Sequence, residues 1–260
     1  MSSAPRHTIL RAEGIRFSYG KGDSLIRDLD FTVSESEAVA LLGANGSGKS
    51  TMLKIASGIL KPLAGTVTLW GKPLFAYRNQ DRAKLISYLP QTLDMTVPFT
   101  VRELVAMGLY PYEIPPSLSA DEALDMVGLL DKADSLLADL SGGERRRTFI
   151  AMTLLQGAGL LLLDEPLANL DVKYQIELLR LLSRLRDERG ISVVMALHDM
   201  NAALQFGRVI MVKEGAVIAS GRPEEVLSEA NIRQAFDIEV RLTRQPDGSL
   251  YISWMGNPTL

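Results

Sequence analysis

The chain of 260 residues has no cysteine, two histidines and two tryptophans. Without thiols it can form neither a disulfide framework nor a thiolate metal site, and such a composition suits a reducing compartment. Neither sign of charge is in excess: 28 basic residues face 31 acidic ones for a net −3. That balance lacks the basic surplus that draws nucleic acid or anionic membrane, so no nucleic-acid partner is expected. No unbroken apolar run approaches the ~20 residues that a membrane-spanning helix needs. The opening MSSAPRHTILRAEG also lacks the charged-then-apolar pattern of a signal peptide. The expectation is a chain that stays on one side of any membrane. Repeats and low-complexity tracts are missing too, and 47% hydrophobic with 23% charged residues suits one globular domain with modest appendages.

What the chain does have is a set of short apolar runs that end in reactive residues. Val39 to Leu42 (VALL) leads at once into GANGSGKST and then into the helical pattern MLKIASGIL. This strand, glycine loop and helix match G-x-x-x-x-G-K-[ST] at Gly43, Gly48, Lys49 and Ser50. Glycines there let successive N–H groups curl around phosphate oxygens at the positive end of a helix. Gly43, Asn45, Gly46, Ser47, Gly48, Lys49, Ser50 and Thr51 are therefore candidate nucleotide-binding residues, with Lys49 reaching the β- and γ-phosphates and Ser50 ligating Mg²⁺. An ordinary glycine turn is the competing reading.

A second run, Leu160 to Leu163, has four leucines without alternation and ends in Asp164 and Glu165. It reads as a parallel strand buried on both faces. Asp164 fits a carboxylate of the Mg²⁺ shell, and Glu165 fits the group that orients and polarises an attacking water. With Pro166 next, the pair can also be a turn signal. The run Ser192 to Leu197 ends in His198 and Asp199, and Leu85 to Leu89 leads through Pro90 to Gln91. Ligands of open parallel sheets bind beyond the carboxyl ends of strands, so convergence on one nucleotide accounts for all four ends.

Leu140 to Arg147 reads LSGGERRR. Ser141 with Glu144 fits a capping box, and Phe149, Ile150, Met152 and Leu154 continue an apolar helix face. Gly142 and Gly143 each cost about 0.5 to 1 kcal/mol against alanine in a helical turn, so something needs bare backbone there. The arginines are assigned to solvated and interface faces of that helix.

Together these residues resemble an ATP-binding cassette (ABC) ATPase, the nucleotide-hydrolysing subunit of a transporter. The resemblance covers about residues 8–225 and rests on the phosphate loop, the Q-loop Gln91, the signature Leu140 to Glu144, LLLLDEP, the D-loop Ala168-Asn169-Leu170-Asp171 and the switch His198. It implies an α/β fold: a P-loop NTPase of ABC type with an antiparallel β subdomain, a RecA-like parallel-sheet core and an α-helical subdomain. The implied limits are about 8–95 and 145–222 for the core with its β subdomain, 96–144 for the helical subdomain and 223–260 for an appendage. In Phe17-Ser18-Tyr19-Gly20, Tyr19 is implied to stack on adenine. The cofactors implied are ATP and Mg²⁺, with Ser50, Gln91 and Asp164 around the metal and Glu165, His198, Lys49 and Gln91 catalytic. Ser141, Gly142 and Gly143 are implied to face a γ-phosphate held by a second subunit, in a head-to-tail homodimer coupled through Asp171. By sequence alone, Asp171 equally fits a helix cap.

Between Thr96 and Asp139 the pattern turns helical, with capping boxes at Thr100/Glu103 and Ser119/Glu122. In the family, a groove here receives a membrane permease. Thr96, Val97, Pro98, Val101, Met107 and Tyr110 are candidate contacts, with Val101 and Met107 also read as subdomain core. FTVRELVAMGLYPY and LHDMNAALQFGRVIMVKEGAVIASGRPEEVL resemble importers of iron-siderophore complexes, haem and vitamin B12. GLYPY departs from their more usual Gly-Arg followed by Pro-His. Such a subunit would sit at the cytoplasmic membrane face and serve an extracytoplasmic substrate-binding protein. A soluble ABC machine acting on nucleic acid or ribosomes, or an ABC transporter ATPase for another cargo, fits the same catalytic residues, and a P-loop kinase leaves LSGGE unexplained. The tail reads as a helix, about Pro223 to Phe236, and a hairpin of Ile238 to Thr243 with Leu250 to Trp254 around Pro246-Asp247-Gly248.

Overall fold

The computed structural model describes residues 7–20, 25–93, 98–246 and 248–254. Strands β1 (Thr8–Phe17) and β2 (Ile26–Ser34) come first, and β3 (Ala38–Leu42) feeds the glycine loop and helix α1 (Lys49–Ala56). Then follow β4 (Ala64–Leu69), β5 (Lys72–Pro73), α2 (Asn79–Ala83) and β6 (Ile86–Leu89). Helices α3 (Val101–Ala106), α4 (Ala120–Met126) and α5 (Gly142–Leu155) precede β7 (Leu160–Asp164) and α6 (Val172–Arg189). β8 (Ser192–Leu197), α7 (Met200–Ala203), β9 (Arg208–Lys213) and β10 (Ala216–Gly221) complete the main body. Helices α8 (Pro223–Val226) and α9 (Glu229–Phe236) and strands β11 (Val240–Arg244) and β12 (Leu250–Trp254) form the tail.

The strands build an antiparallel sheet, β2-β1-β4-β5, and a six-stranded sheet, β10-β9-β3-β8-β7-β6, in which all but β10 run parallel. β7 and β8 are buried along their whole length, because both faces of the large sheet are covered. Leu161 and Leu163 pack with α5 and α6, whereas Leu160 and Leu162 join α1 and the antiparallel sheet on the other side. The four strands whose ends carry candidate chemistry, β3, β8, β7 and β6, are consecutive neighbours. Side by side, they deliver the glycine loop, His198, the carboxylate pair and Gln91 to one rim. This is the α/β P-loop architecture that the resemblance implied.

The helical segment has its own core of Val101, Val105, Ala123, Leu124, Leu129, Ala133 and Leu140. Ala151 and Leu155 belong to that core too, so α5 runs across the limit drawn at residue 144 and packs into both bodies. All three capping boxes form, with Thr100, Ser119 and Ser141 accepting from the N–H three residues on.

Several expected elements differ. The helix pattern after the glycine loop stops at Ala56, because Gly58 turns to a left-handed φ of 78°. The single tail helix over 223–236 is two helices: Leu227 leaves helical space at φ −84° and ψ 52°, and the Ser228 hydroxyl caps a new start by accepting from Asn231 N–H. The hairpin pairs Val240–Arg244 with Leu250–Trp254, a later start than Ile238, because Asp237 ends α9 at φ 55°. Asp247, within the expected turn, lies outside the described residues, as do Thr96 and Val97. Ile232, Ala235, Val240 and Ile252 pack into the main core, so the tail is an integral layer.

Candidate active site

Gly48 is the N-cap of α1 at φ 105° and offers no side-chain cap, which leaves the first N–H groups of the helix facing the loop. A Cβ at Gly48 would meet Ile26 Cδ1 at 2.8 Å, so conformation and space both require glycine. The Lys49 ammonium folds back over the loop, donating to the carbonyls of Gly43 at 2.7 Å and Ala44 at 3.1 Å. Burial pulls its pKa down, with Glu165 and Asp164 opposing that shift. Among the described residues, Ser47 Oγ is buried with no hydrogen-bond partner. A buried orphan hydroxyl, a naked helix start and a converging ammonium suit an anion with several oxygens.

Leu25, residues Asn45 to Thr51, Gln91 and Glu165 line a cavity of about 290 Å³. At its floor the Ser50 hydroxyl donates to Asp164 Oδ1 at 3.1 Å, and Tyr88 donates to Oδ2 at 3.3 Å. Burial raises the Asp164 pKa, an effect that the Ser50 hydrogen bond offsets. Burial, then the Asp164 charge, pushes the Tyr88 phenol up as well. A hydroxyl beside a carboxylate is the hard-oxygen pair that Mg²⁺ takes when phosphates complete its shell.

Glu165 is held at both oxygens. Gln91 Nε2 donates to Oε2 at 2.8 Å, and His198 Nε2 lies 2.5 Å from Oε1. The Glu165 backbone is left-handed at φ 52°, a conformation that costs a non-glycine residue about 1 to 2 kcal/mol. Tyr19 is 56% exposed, lies edge-on to Phe17 at 4.9 Å, and its hydroxyl is 3.4 Å from Thr51 Oγ1. An accessible ring therefore stands beside the glycine loop.

The remaining predicted residues lie elsewhere. Ser141, Gly142, Gly143 and Asp171 are not among the residues lining the cavity. Asp171 is the N-cap of α6 without a side-chain cap bond, so its carboxylate does not do the capping work that the sequence allowed. A Cβ at Gly143 would sit 3.1 Å from the Asn169 carbonyl, whereas one at Gly142 would meet none of the described residues within 4 Å. One of the two glycines thus has a cause inside its own chain.

Two of the arginines assigned to solvated and interface faces are buried inside their own chain: Arg146 is 4% exposed and Arg147 is 7%. The helical period puts them three residues before Phe149 and Ile150, on the apolar face of α5. Arg146 donates to main-chain carbonyls of Gln91, Asp164, Glu165 and Pro166. Arg147 donates to the carbonyls of Val127 and Gly128 and stacks on Tyr174 of α6 at 3.8 Å. Met107, read also as core, is 40% exposed, whereas Val101 is buried.

With this geometry in view, the family model described as ABC transporter matches residues 26–168, just over half of the chain. The chain belongs to the ABC transporter ATP-binding family. It is 39% identical over 236 residues to the iron(3+)-hydroxamate import ATP-binding protein FhuC of Bacillus subtilis (strain 168), covering 87% of this chain and 88% of that protein. It is 36% identical over 253 residues to the hemin import ATP-binding protein HmuV of Rhodopseudomonas palustris (strain BisA53), covering 94% and 93%. Among solved structures, the ATP-binding cassette MJ0796, a dimer in a post-hydrolysis state bound to ADP and phosphate, superposes with a TM-score of 0.75 at 27% identity. That match covers 83% of this chain and 99% of the other. This ABC ATPase thus binds and hydrolyses ATP.

Proposed function

We propose that the chain powers an importer of iron-siderophore, haem or cobalamin type cargo, as a head-to-tail homodimer docked on membrane permease subunits. The names of the iron(3+)-hydroxamate and hemin import relatives support the first two cargo classes. The observation that carries the catalytic part is the grip of Gln91 and His198 on the two oxygens of Glu165 at the mouth of the glycine loop.

Phosphoryl transfer is mainly positioning and charge neutralisation, and each residue here has a place in that work. Residues Gly43 to Thr51 and Lys49 Nζ bind the β- and γ-phosphates, and Tyr19 stacks on the base. Glu165 aligns the attacking water and accepts its proton, while His198 holds the carboxylate and faces the γ-phosphate. Mg²⁺, when bound, screens phosphate charge, and Ser50, Asp164 and the Gln91 amide oxygen would hold it. With its Nε2 donating to Glu165, Gln91 keeps that oxygen for the metal. Ser141, Gly142 and Gly143 complete the partner's site, and Asp171 links the two sites across the interface.

The permease side is supported by apolar groups left outside the cores: Tyr110 is 89% exposed and Ile114 86%. Among the described residues, no helix is long and apolar enough to cross a membrane, so a peripheral seat on permease subunits fits. An extracytoplasmic binding protein would deliver the cargo. Pull-down of the tagged chain from detergent-solubilised membranes should recover permease subunits with a bound iron chelate or cobalamin. Recovery with ribosomes or DNA and no membrane protein would overturn the transport reading.

A further inference from the structure

Arg146 is a buried cation whose hydrogen bonds, among the described residues, all go to backbone. Nη1 reaches the Gln91 carbonyl at 2.6 Å, Nη2 the carbonyls of Asp164 at 2.8 Å and of Glu165, and Nε that of Pro166 at 3.3 Å. Filling space does not explain the charge, because an apolar side chain of similar volume fills such a site without desolvating a guanidinium. The planar fork does, because it can hold several fixed acceptors at once. All four carbonyls lie in the two segments that aim one carboxylate: the end of β7 with the turn after it, left-handed at Glu165, and the loop that carries Gln91.

We infer that Arg146 is a positioning residue for ATP hydrolysis, whose guanidinium fixes the turn after β7 and the Gln91 backbone in one register and so aims Glu165 at the attacking water. This rests on Glu165 being the water-orienting group. Arg146 itself touches no reacting atom. It is also on α5, five residues beyond Ser141, so a shift of the signature end of that helix reaches Glu165 through one side chain. Lys49 and the glycine loop share no hydrogen bond with it among the described residues, so turnover and nucleotide affinity should separate.

The test compares Arg146→Met, Arg146→Lys and Glu165→Gln in the purified full chain by kcat, KM, Kd for a fluorescent ATP analogue and melting temperature. Arg146→Met should lose at least tenfold in kcat with Kd within about twofold of the parent. Arg146→Lys, which keeps the charge and loses the fork, should lose about threefold, again at unchanged Kd. If Arg146→Met does not fold, Arg146→Lys decides. A parental kcat in the folded variants, while Glu165→Gln is inactive, overturns the role of Arg146 alone. So does a loss in which kcat and affinity fall together with melting temperature and lysine does no better than methionine. Parental turnover in Glu165→Gln instead removes the reading of Glu165 on which the inference stands.

Discussion

Glu144 serves two ends of the structure with one carboxylate. It accepts from the Ser141 N–H and hydroxyl, each at 2.9 Å, and pairs with Lys132 from the helical segment. The Lys132 contact, followed by the Ser141 hydrogen bonds, lowers its pKa from 4.5 to about 2. A folded pKa below the unfolded one means that Glu144 stabilises the chain above about pH 4.5 and loses that contribution as pH falls toward 2. The stability gap between parent and Glu144→Gln, measured by urea denaturation, should be full at pH 6 and shrink steadily below about pH 4.5. A gap that is flat across that range would contradict the pairing. The Ser141/Glu144 box is legible in sequence because caps depend on residues three apart. Arg146 is not, because a periodicity count scores a guanidinium as polar and cannot know that four carbonyls wait for it.

At the scale of elements, the start of α5 separates two glycines that look alike in sequence. Gly143 lies against the Asn169 carbonyl, whereas Gly142 faces open space. Gly142→Ala should therefore raise the stability of the isolated chain by about 0.5 kcal/mol through helix propensity, while hydrolysis falls because the bare surface is lost. Gly143→Ala should lower the melting temperature, because its Cβ presses on the D-loop. Thermal denaturation with ATPase assays reads both; undiminished hydrolysis in Gly142→Ala would remove the need for bare backbone there. The four strand ends were legible because an apolar run that stops at a glycine loop, a carboxylate pair, a histidine or a Pro-Gln carries its own address. The break at Leu227 was not, because Pro223 to Phe236 satisfies helical periodicity and only the Ser228 cap divides it.

At the scale of the whole molecule, the tail is fastened to the switch region. Asn201 in α7 donates through Nδ2 to the Ile252 carbonyl at 3.1 Å and accepts the Ile252 N–H on Oδ1 at 2.9 Å. Asn201→Ala should cost about 1 to 3 kcal/mol, two hydrogen bonds with their backbone groups stranded, read as a lower denaturant midpoint. An unchanged midpoint would show that the hairpin is held by Val240 and Ile252 packing alone. Such long-range fastening is invisible in sequence, where Asn201 and Ile252 are 51 residues apart. The parallel sheet could be anticipated from its buried runs; its antiparallel companion was implied by the family resemblance.

The sheet margins carry a consequence for how this chain meets other molecules. At one end of the antiparallel sheet stands β5, two residues long and ending in Pro73. The large sheet ends in four-residue β6, where the Gln156 amide donates to the Ile86 carbonyl at 3.0 Å, and in β10, which carries a register shift between Val217 and Ala219. Short, proline-bearing, plugged or bulged margins do not template further strands. Stickiness through backbone pairing is thereby suppressed at the β5, β6 and β10 margins, and association there is left to loops and helix starts at the rim, where a bound ligand can switch it on and off.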